Sequence, residues 1–171
     1  IVCTHASNVT GEIMPIAKIG ALCKERGITF IVDAAQTAGV IPINMKEMNI
    51  DFLCIAPHKG LYAPMGVGIL IAEKEIPSVL IEGGTGVNSA LSIQPKEYPE
   101  RLESGTLNLP GIVGIGAGID FLNSKGIKNM YEAEMELAGY LYNRLIRVSG
   151  CIIYTPFPEK YKYVPVVSFN I

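Results

Sequence analysis

The feature that most constrains the fold is a series of short apolar runs, each followed at once by polar residues. These runs are residues 1–4, 28–33, 51–55 and 66–72. Apolar runs of this length are typical of strands that are buried on both faces of a parallel sheet. Between the first two runs, Pro15 and Gly27 flank a stretch with helical apolar spacing, which predicts a helix. The pattern predicts an α/β protein with a largely parallel sheet flanked by helices.

The second half of the chain changes character twice. Residues 82–110 are rich in Gly, Ser, Thr, Pro and Asn, and a loop of that length is uncommon in a compact domain unless it is functional. Helical spacing then returns near Ile112, ends at 124–126, and resumes from about Lys128 to Val148. On this longer helix, leucines recur every four residues, and we expect them to face the core: Leu137, Leu141 and Leu145.

The end of the chain suggests a second structural unit. Residues 151–154 and 164–171 have the composition of short strands. We therefore expect residues 1–126 to be part of one large domain, and residues 127–171 to be a linking helix and the start of a small α+β domain. Both termini lie inside apolar, strand-like runs, which leads us to expect a segment of a longer protein.

Composition excludes several classes of function. The chain has 171 residues and a net charge of −2, without any run rich in Lys and Arg, so we expect no nucleic-acid partner. No apolar stretch approaches the roughly 18 residues that a membrane span needs. The four cysteines form no CxxC pair or metal-like cluster. We expect mostly buried, reduced thiols, no metal site, and a cytoplasmic location.

Polar residues follow three of the predicted strands at the point where each strand ends. Asn8 comes after the first strand, Asp33 and Gln36 after the second, and His58 and Lys59 after the third. In an α/β sheet, binding sites form beyond the carboxyl ends of parallel strands. These side chains are therefore expected to share one pocket at that edge.

The residue types indicate one kind of chemistry. A lysine amine in a partly dry pocket becomes a nucleophile that forms a Schiff base with an aldehyde. An aspartate facing a pyridine nitrogen keeps the ring protonated and electron-withdrawing, and a neutral amide such as that of Gln36 can hydrogen-bond a phenolate oxygen. All three are roles that a protein plays toward pyridoxal 5′-phosphate (PLP).

Several longer motifs resemble those of one enzyme family. VDAAQTAGV (32–40) followed by APHKGLYAPMGVGIL (56–70) resembles the core of the class V aminotransferase group of PLP-dependent enzymes. Within that group, the likeness is greatest to the cysteine desulfurase and selenocysteine lyase branch. THASNVTGEIMPI (4–16), GGTGVNSA (83–90) and PERLESGTLNLPGI (99–112) resemble further segments of that branch, in the same order. The resemblance covers essentially the whole chain and implies part of the aspartate-aminotransferase-like large domain.

The resemblance implies roles for four residues near the second and third strands. Lys59 matches the Schiff-base lysine, which is also the catalytic base. Asp33 matches the partner of the pyridine nitrogen, Gln36 the residue near the ring hydroxyl, and His58 a phosphate contact. The alternatives are that Asp33 is only a helix N-cap, that Gln36 is a surface amide, and that His58 is a packed or surface histidine.

Two more residues match the family pattern, and one departs from it. Asn8 matches a residue near the substrate carboxylate, and Thr106 a threonine that reaches the phosphate in a neighbouring subunit. The family thus implies a homodimer with shared active sites, although both residues would also suit ordinary turns or loops. Ala56 stands where the family usually has a phosphate-binding serine. The family's sulfur-accepting cysteine and its carboxylate-binding arginine have no counterpart within these residues.

Two other sequence features suggest a cysteine nucleophile and a dinucleotide site, and we reject both interpretations. Cys54 lies in an apolar strand without a flanking base, where the pKa of a thiol rises and its reactivity falls. The GIGAG segment (114–118) lacks the G-x-G-x-x-G spacing of a dinucleotide site.

The resemblance implies a cysteine desulfurase that converts L-cysteine to alanine, passes sulfur to an enzyme cysteine as a persulfide, and delivers it to a sulfur-acceptor protein. One alternative is another enzyme of the group, such as a small amino-acid aminotransferase, a selenocysteine lyase or a kynureninase-like hydrolase. The other is a catalytically inert folded fragment or dimerisation module. We expect the isolated segment to be inactive, because the family's flanking residues are absent from it.

Overall fold

The computed structural model describes residues 1–79, 81–86 and 89–171. Four strands form the main sheet: β1 (Val2–Thr4), β2 (Ile31–Asp33), β3 (Phe52–Ile55) and β4 (Ile69–Ala72). The helices are α1 (Ile16–Glu25), α2 (Leu109–Lys125) and α3 (Ile127–Leu145), and Glu100–Leu102 forms a 3-10 turn. Strands β5 (Ile152–Ile153) and β6 (Phe169–Asn170) form a separate antiparallel pair.

The main sheet is parallel except at one edge. Its order is β1-β2-β3-β4, with β1, β2 and β3 parallel and β4 antiparallel to β3. This confirms the predicted α/β class with a mostly parallel sheet. The antiparallel edge was not predicted, and it follows from the connection. Residues 56–68 contain no helix to carry the chain back across the sheet, so the chain returns beside β3 in the opposite direction.

Helix α1 packs on one face of the sheet and forms the main core there. The helix begins directly after Pro15, and the chain turns out of it at Gly27, which has a φ of 63°, as the sequence predicts. Its buried Ile16 and Cys23 pack with Phe30, Val32 and Leu53. Fewer cysteines are buried than the sequence predicts. Only Cys23 is buried, whereas Cys3, Cys54 and Cys151 are partly exposed. All four are free thiols.

The leucines of α3 do not form its buried face, and that prediction is wrong. Leu137 is 67% exposed and Leu141 42% exposed, while only Leu145 is buried. The buried positions are instead Tyr131, Met135, Ala138 and Leu145. Because α3 carries apolar residues on more than one face, its spacing predicts a helix without specifying which face meets the core.

Tyr131 links α3 by hydrogen bonds to the segment before β6. Its ring is 2% exposed, and its hydroxyl donates to the carbonyl oxygen of Tyr163 at 2.8 Å. The same hydroxyl accepts from the backbone N–H of Tyr161 at 2.7 Å. Burying the hydroxyl is therefore compensated by two hydrogen bonds, which fix residues 161–163 against the helix.

None of the helices in the described part of the chain combines the length and the apolar composition that a membrane crossing needs.

Candidate functional site

The loops after β2 and β3 leave the same edge of the sheet and touch each other. The two strands are parallel, with Asp33 opposite Cys54. At Gly39, which has a φ of 80°, a Cβ atom would lie 2.2 Å from the carbonyl oxygen of Gly60. At Gly60 a Cβ atom would lie 2.4 Å from the carbonyl oxygen of Ala38. Only glycine permits this approach at both positions, and it brings the Asp33 loop against the Lys59 loop.

Asp33 lies at the end of β2, and only one of its two carboxylate oxygens accepts a hydrogen bond from a described residue. The side chain is exposed, and Oδ1 accepts a hydrogen bond from the backbone N–H of Ala35 at 2.9 Å. This bond closes a turn after β2, and no helix follows there for Asp33 to cap. No described residue donates to the other oxygen, Oδ2. One carboxylate oxygen thus fixes the turn, and the other is free to meet a ligand.

A cavity of about 970 Å³ lies beside Asp33 along the antiparallel edge of the sheet. Its wall includes Cys54 and Ala56 from β3 and its loop, Leu70 from β4, and Tyr98 from the long connection. Of the six residues predicted for the site, Asp33 alone lines this cavity. Cavities of roughly 300–1,000 Å³ are the usual size for small-molecule sites.

Lys59 and His58 lie on the loop after β3, and both side chains are exposed. A tight turn orders their backbone: the N–H of Lys59 donates to the Ala56 carbonyl at 3.1 Å, and the N–H of Tyr62 donates to the Lys59 carbonyl at 3.0 Å. No described residue forms an ion pair with the Lys59 amine. The partly dry environment expected for this lysine is therefore not supplied by the described residues of this chain.

Asn8 lies on a loop that the C-terminal segment holds in place. The backbone N–H groups of Val9 and Thr10 both donate to the Ser7 hydroxyl, which closes the turn around Asn8. Gly11 adopts a φ of 73°, and its carbonyl oxygen accepts from the N–H of Val164 at 2.8 Å. The Asn8 side chain itself is exposed. The loop follows β1, so it leaves the same edge of the sheet as the other two.

The remaining predicted residues are Gln36 and Thr106. Gln36 is half-buried within the turns that follow β2. Thr106 is exposed and lines a hollow of about 450 Å³ with the glycines at 83, 84 and 86. The N–H of Gly105 bonds to the carbonyls of Gly83 and Gly84, joining the two ends of this hollow. Residues 87 and 88 of the GGTGVNSA motif lie outside the described residues.

The local environment of Cys54 agrees with its rejection as a nucleophile. Burial raises the pKa of its thiol, and the nearby Asp33 carboxylate raises it further. Both effects favour the unreactive thiol over the thiolate.

His5 is a buried residue that the sequence analysis did not single out. It directly follows β1, and its side chain is only 3% exposed. Its backbone N–H donates to the carbonyl oxygen of Asp33 at 2.8 Å, while Nδ1 is buried without a hydrogen-bond partner among the described residues. Burial lowers the pKa of the imidazole to about 4. The sequence feature that could have identified His5 is its position between an apolar strand and a polar turn.

We expect His5 to make the protein less stable in mild acid. Its pKa falls from 6.5 to about 4 on folding, so the unfolded chain binds more protons between these values. The full contribution is present above pH 6.5 and is lost as the pH falls toward 4. At about 1.4 kcal/mol per pH unit, the loss in unfolding free energy approaches about 3 kcal/mol.

Urea unfolding at a series of pH values measures this effect. His5→Gln should flatten the dependence between pH 4 and 6.5, whereas the exposed His58→Gln should leave it unchanged. An equal slope in all three proteins would show that His5 is not the titrating group.

The donor set fits PLP better than a metal ion. No group of three His, Cys, Asp or Glu side chains suited to metal binding occurs among the described residues. In contrast, the carboxylate of Asp33 has a free oxygen beside a cavity, and an exposed lysine amine lies on the adjoining loop. A carboxylate suits a protonated pyridine nitrogen, and an amine suits an aldehyde.

Comparisons with known proteins agree over the full chain. The family model described as aminotransferase class-V matches residues 1–171. A probable cysteine desulfurase of Pyrococcus abyssi is 37% identical over 172 residues, which are 98% of this chain and 42% of that protein. The cysteine desulfurase of Escherichia coli O127:H6 is 32% identical over 174 residues, with coverages of 98% and 42%.

A comparison with solved structures also identifies a cysteine desulfurase as a similar protein. The apo structure of a cysteine desulfurase from Thermococcus onnurineus NA1 matches with a TM-score of 0.83 and 34% identity. The match covers 99% of this chain and 43% of that one. The chain thus spans about two fifths of the length of the relatives and of the structure that it matches.

Proposed function

Since the chain belongs to the class V aminotransferase family, we propose that it forms the central part of a PLP-dependent cysteine desulfurase. The complete enzyme would release sulfur from L-cysteine and leave alanine. The observation that carries the proposal is the contact between the loops after β2 and β3 at Gly39 and Gly60, because it joins the backbone carrying Asp33 to that carrying Lys59.

When bound, PLP supplies an electrophilic aldehyde and a ring that accepts electrons from the substrate. In the proposed site, the Lys59 amine would hold that aldehyde covalently and would also be the base for the proton of the substrate Cα. The free oxygen of Asp33 would face the ring nitrogen and favour its protonated form. The amide of Gln36 would donate to the ring oxygen without adding charge.

The other proposed contacts hold the two charged groups. His58, next to Lys59 on the same exposed turn, would contact the phosphate, and Asn8 the substrate carboxylate. Thr106, at the edge of the glycine-lined hollow, would reach the phosphate bound to a second copy of the chain, which makes the enzyme a homodimer. Ala56 supplies no hydroxyl, so the phosphate would depend on these other donors.

The sulfur acceptor is proposed to lie outside these residues. Desulfuration transfers the sulfur of cysteine to an enzyme thiol, which becomes a persulfide, while the carbon skeleton leaves as alanine. Cys54 does not suit this role, because its thiol pKa is raised. Delivery to an acceptor protein in the cytoplasm completes the proposal, and the free state of all four cysteines is consistent with a reducing compartment.

Product analysis with the longer enzyme that contains this segment tests the function. With PLP and L-cysteine we expect alanine and sulfane sulfur in equal amounts, and with a thiol reductant, sulfide. An aminotransferase would instead need a keto acid and would convert the cysteine to its keto-acid analogue. Binding of PLP without either reaction would contradict the proposal, and no visible absorbance change with PLP would favour an inert fold.

A further inference from the structure

The loop carrying Lys59 is held by contacts that the sequence motifs do not explain. The glycines of α2 contribute the first contact. Gly111, Gly114 and Gly118 lie at i, i+3 and i+7, which places them on one face of the helix. At Gly114 a Cβ atom would lie 2.4 Å from Cδ of Pro64, and at Gly118 one would lie 1.9 Å from the carbonyl oxygen of Leu61.

These distances explain the first and last glycines of the GIGAG motif, which has no dinucleotide role. A side chain at either position would collide with the loop after Lys59, so the glycines let the helix approach the loop backbone directly. Gly111 extends the same contact, because a Cβ atom there would lie 2.3 Å from Cγ2 of Val67. The loop after Lys59 therefore packs, at Leu61, Pro64 and Val67, directly against these three glycines of α2.

Tyr62 provides a second contact on the same loop. Its φ of 55° is in the left-handed region, which is strained for a residue other than glycine and must be offset by its surroundings. The Tyr62 hydroxyl donates to Oε1 of Glu134 on α3 at 2.9 Å. The ring also packs edge-to-face on Phe121 of α2, with 5.3 Å between ring centroids.

We propose that Tyr62 and Glu134 are positioning residues for Lys59. The Tyr62 side chain joins the lysine loop to both helices at once, and its backbone N–H closes the turn onto the Lys59 carbonyl at 3.0 Å. Releasing the hydroxyl leaves the strained φ of Tyr62 with less support, so the turn opens more often and the Lys59 amine samples a wider region. This inference rests on the proposed function of Lys59.

Amide hydrogen exchange in the cofactor-free protein tests the structural half of the proposal. The reporters are the N–H groups of Lys59, Tyr62 and Ala63, each bonded within the loop. We expect Tyr62→Phe and Glu134→Ala to speed their exchange about 2- to 10-fold, the range for loss of one hydrogen bond. Glu134→Gln retains an acceptor and should restore protection.

Matched controls separate the loop from the rest of the fold. Tyr154→Phe removes a hydroxyl from a ring that is 60% exposed, and Glu136→Ala removes a carboxylate from the same helix as Glu134. Neither should change exchange at the reporter amides. Unchanged exchange in Tyr62→Phe, or an equal change in the controls, would overturn the positioning role whatever the protein catalyses.

The second readout concerns Lys59 itself in the longer enzyme. At limiting PLP, borohydride should fix about 2- to 10-fold less cofactor on Lys59 in Tyr62→Phe than in the wild type, with Glu134→Gln close to the wild type. Equal fixing in Tyr62→Phe and wild type would overturn the proposal. If wild type fixes no PLP on Lys59, the proposed function fails, and the exchange experiment still decides whether Tyr62 and Glu134 hold the loop.

Discussion

Replacing Lys59 with alanine in the longer enzyme is expected to reduce turnover of L-cysteine by at least about 10²- to 10⁴-fold. That range is what a positioned general base alone contributes, and the substitution also removes the covalent anchor of the cofactor. PLP binding should weaken without disappearing, because the contacts proposed for Asp33 and His58 remain. Steady-state rates and equilibrium dialysis with PLP measure the two effects separately.

Two further substitutions show whether the amine itself is responsible. Lys59→Arg keeps the positive charge but offers no neutral amine, so it should be as inactive as Lys59→Ala. Lys18→Ala removes an exposed lysine from α1 and should leave turnover unchanged. Normal turnover in Lys59→Ala would show that another group carries the chemistry.

The second large effect is expected from Asp33→Asn. Asparagine keeps an oxygen for the N–H of Ala35, so the turn after β2 should remain, but the negative charge is lost. Without that charge the ring nitrogen loses its proton more readily, and we expect turnover to fall about 10²- to 10³-fold, as for other preorganised electrostatic contacts. Asp120→Asn, an exposed change on α2, is the matched control.

Asp33→Asn also has a readout that does not involve the cofactor. The Asp33 carboxylate contributes to the raised pKa of the Cys54 thiol, although burial is the larger cause. Removing the charge should lower that pKa and speed alkylation of Cys54 at a fixed pH. Alkylation followed by peptide mass spectrometry measures this. An unchanged rate at Cys54 would mean that the carboxylate does not lie where the structure has it.

The sequence predicted the parts of the fold that depend on local pattern. Apolar runs specified the strands, and Pro15 with Gly27 specified α1, because strand burial, φ restriction and helix termination are properties of neighbouring residues. Helix α2 begins at Leu109, three residues before the expected start, because Asn108 caps it by accepting from the N–H of Gly111.

Other features depend on contacts between distant segments and were not predictable from pattern. The outward position of Leu137 follows from which face of α3 meets Ile41 through Tyr131 and Met135. The direction of β4 follows from a connection that forms no helix. The burial of His5 and the hydrogen bond between Tyr62 and Glu134 join residues that no short motif connects.

The sequence predicted where the loops carrying the candidate residues leave the sheet, while the site itself stays a prediction. The order of Asp33, Gln36, His58 and Lys59 along the chain indicated one sheet edge, and the strands carry their loops to that edge. The roles of these residues, together with those of Asn8 and Thr106, stay predictions, as does the division between residues 1–126 and 127–171. The exposure of Lys59 shows that the described residues of this chain do not enclose it.

The most direct test of the account is to locate the cofactor on the chain. The longer enzyme is incubated with PLP, reduced with borohydride, digested, and mapped by peptide mass spectrometry. We expect a single reduced pyridoxyl adduct, on Lys59, that is absent from Lys59→Arg. An adduct on a different lysine, or one that persists in Lys59→Arg, would contradict the assignment of Lys59.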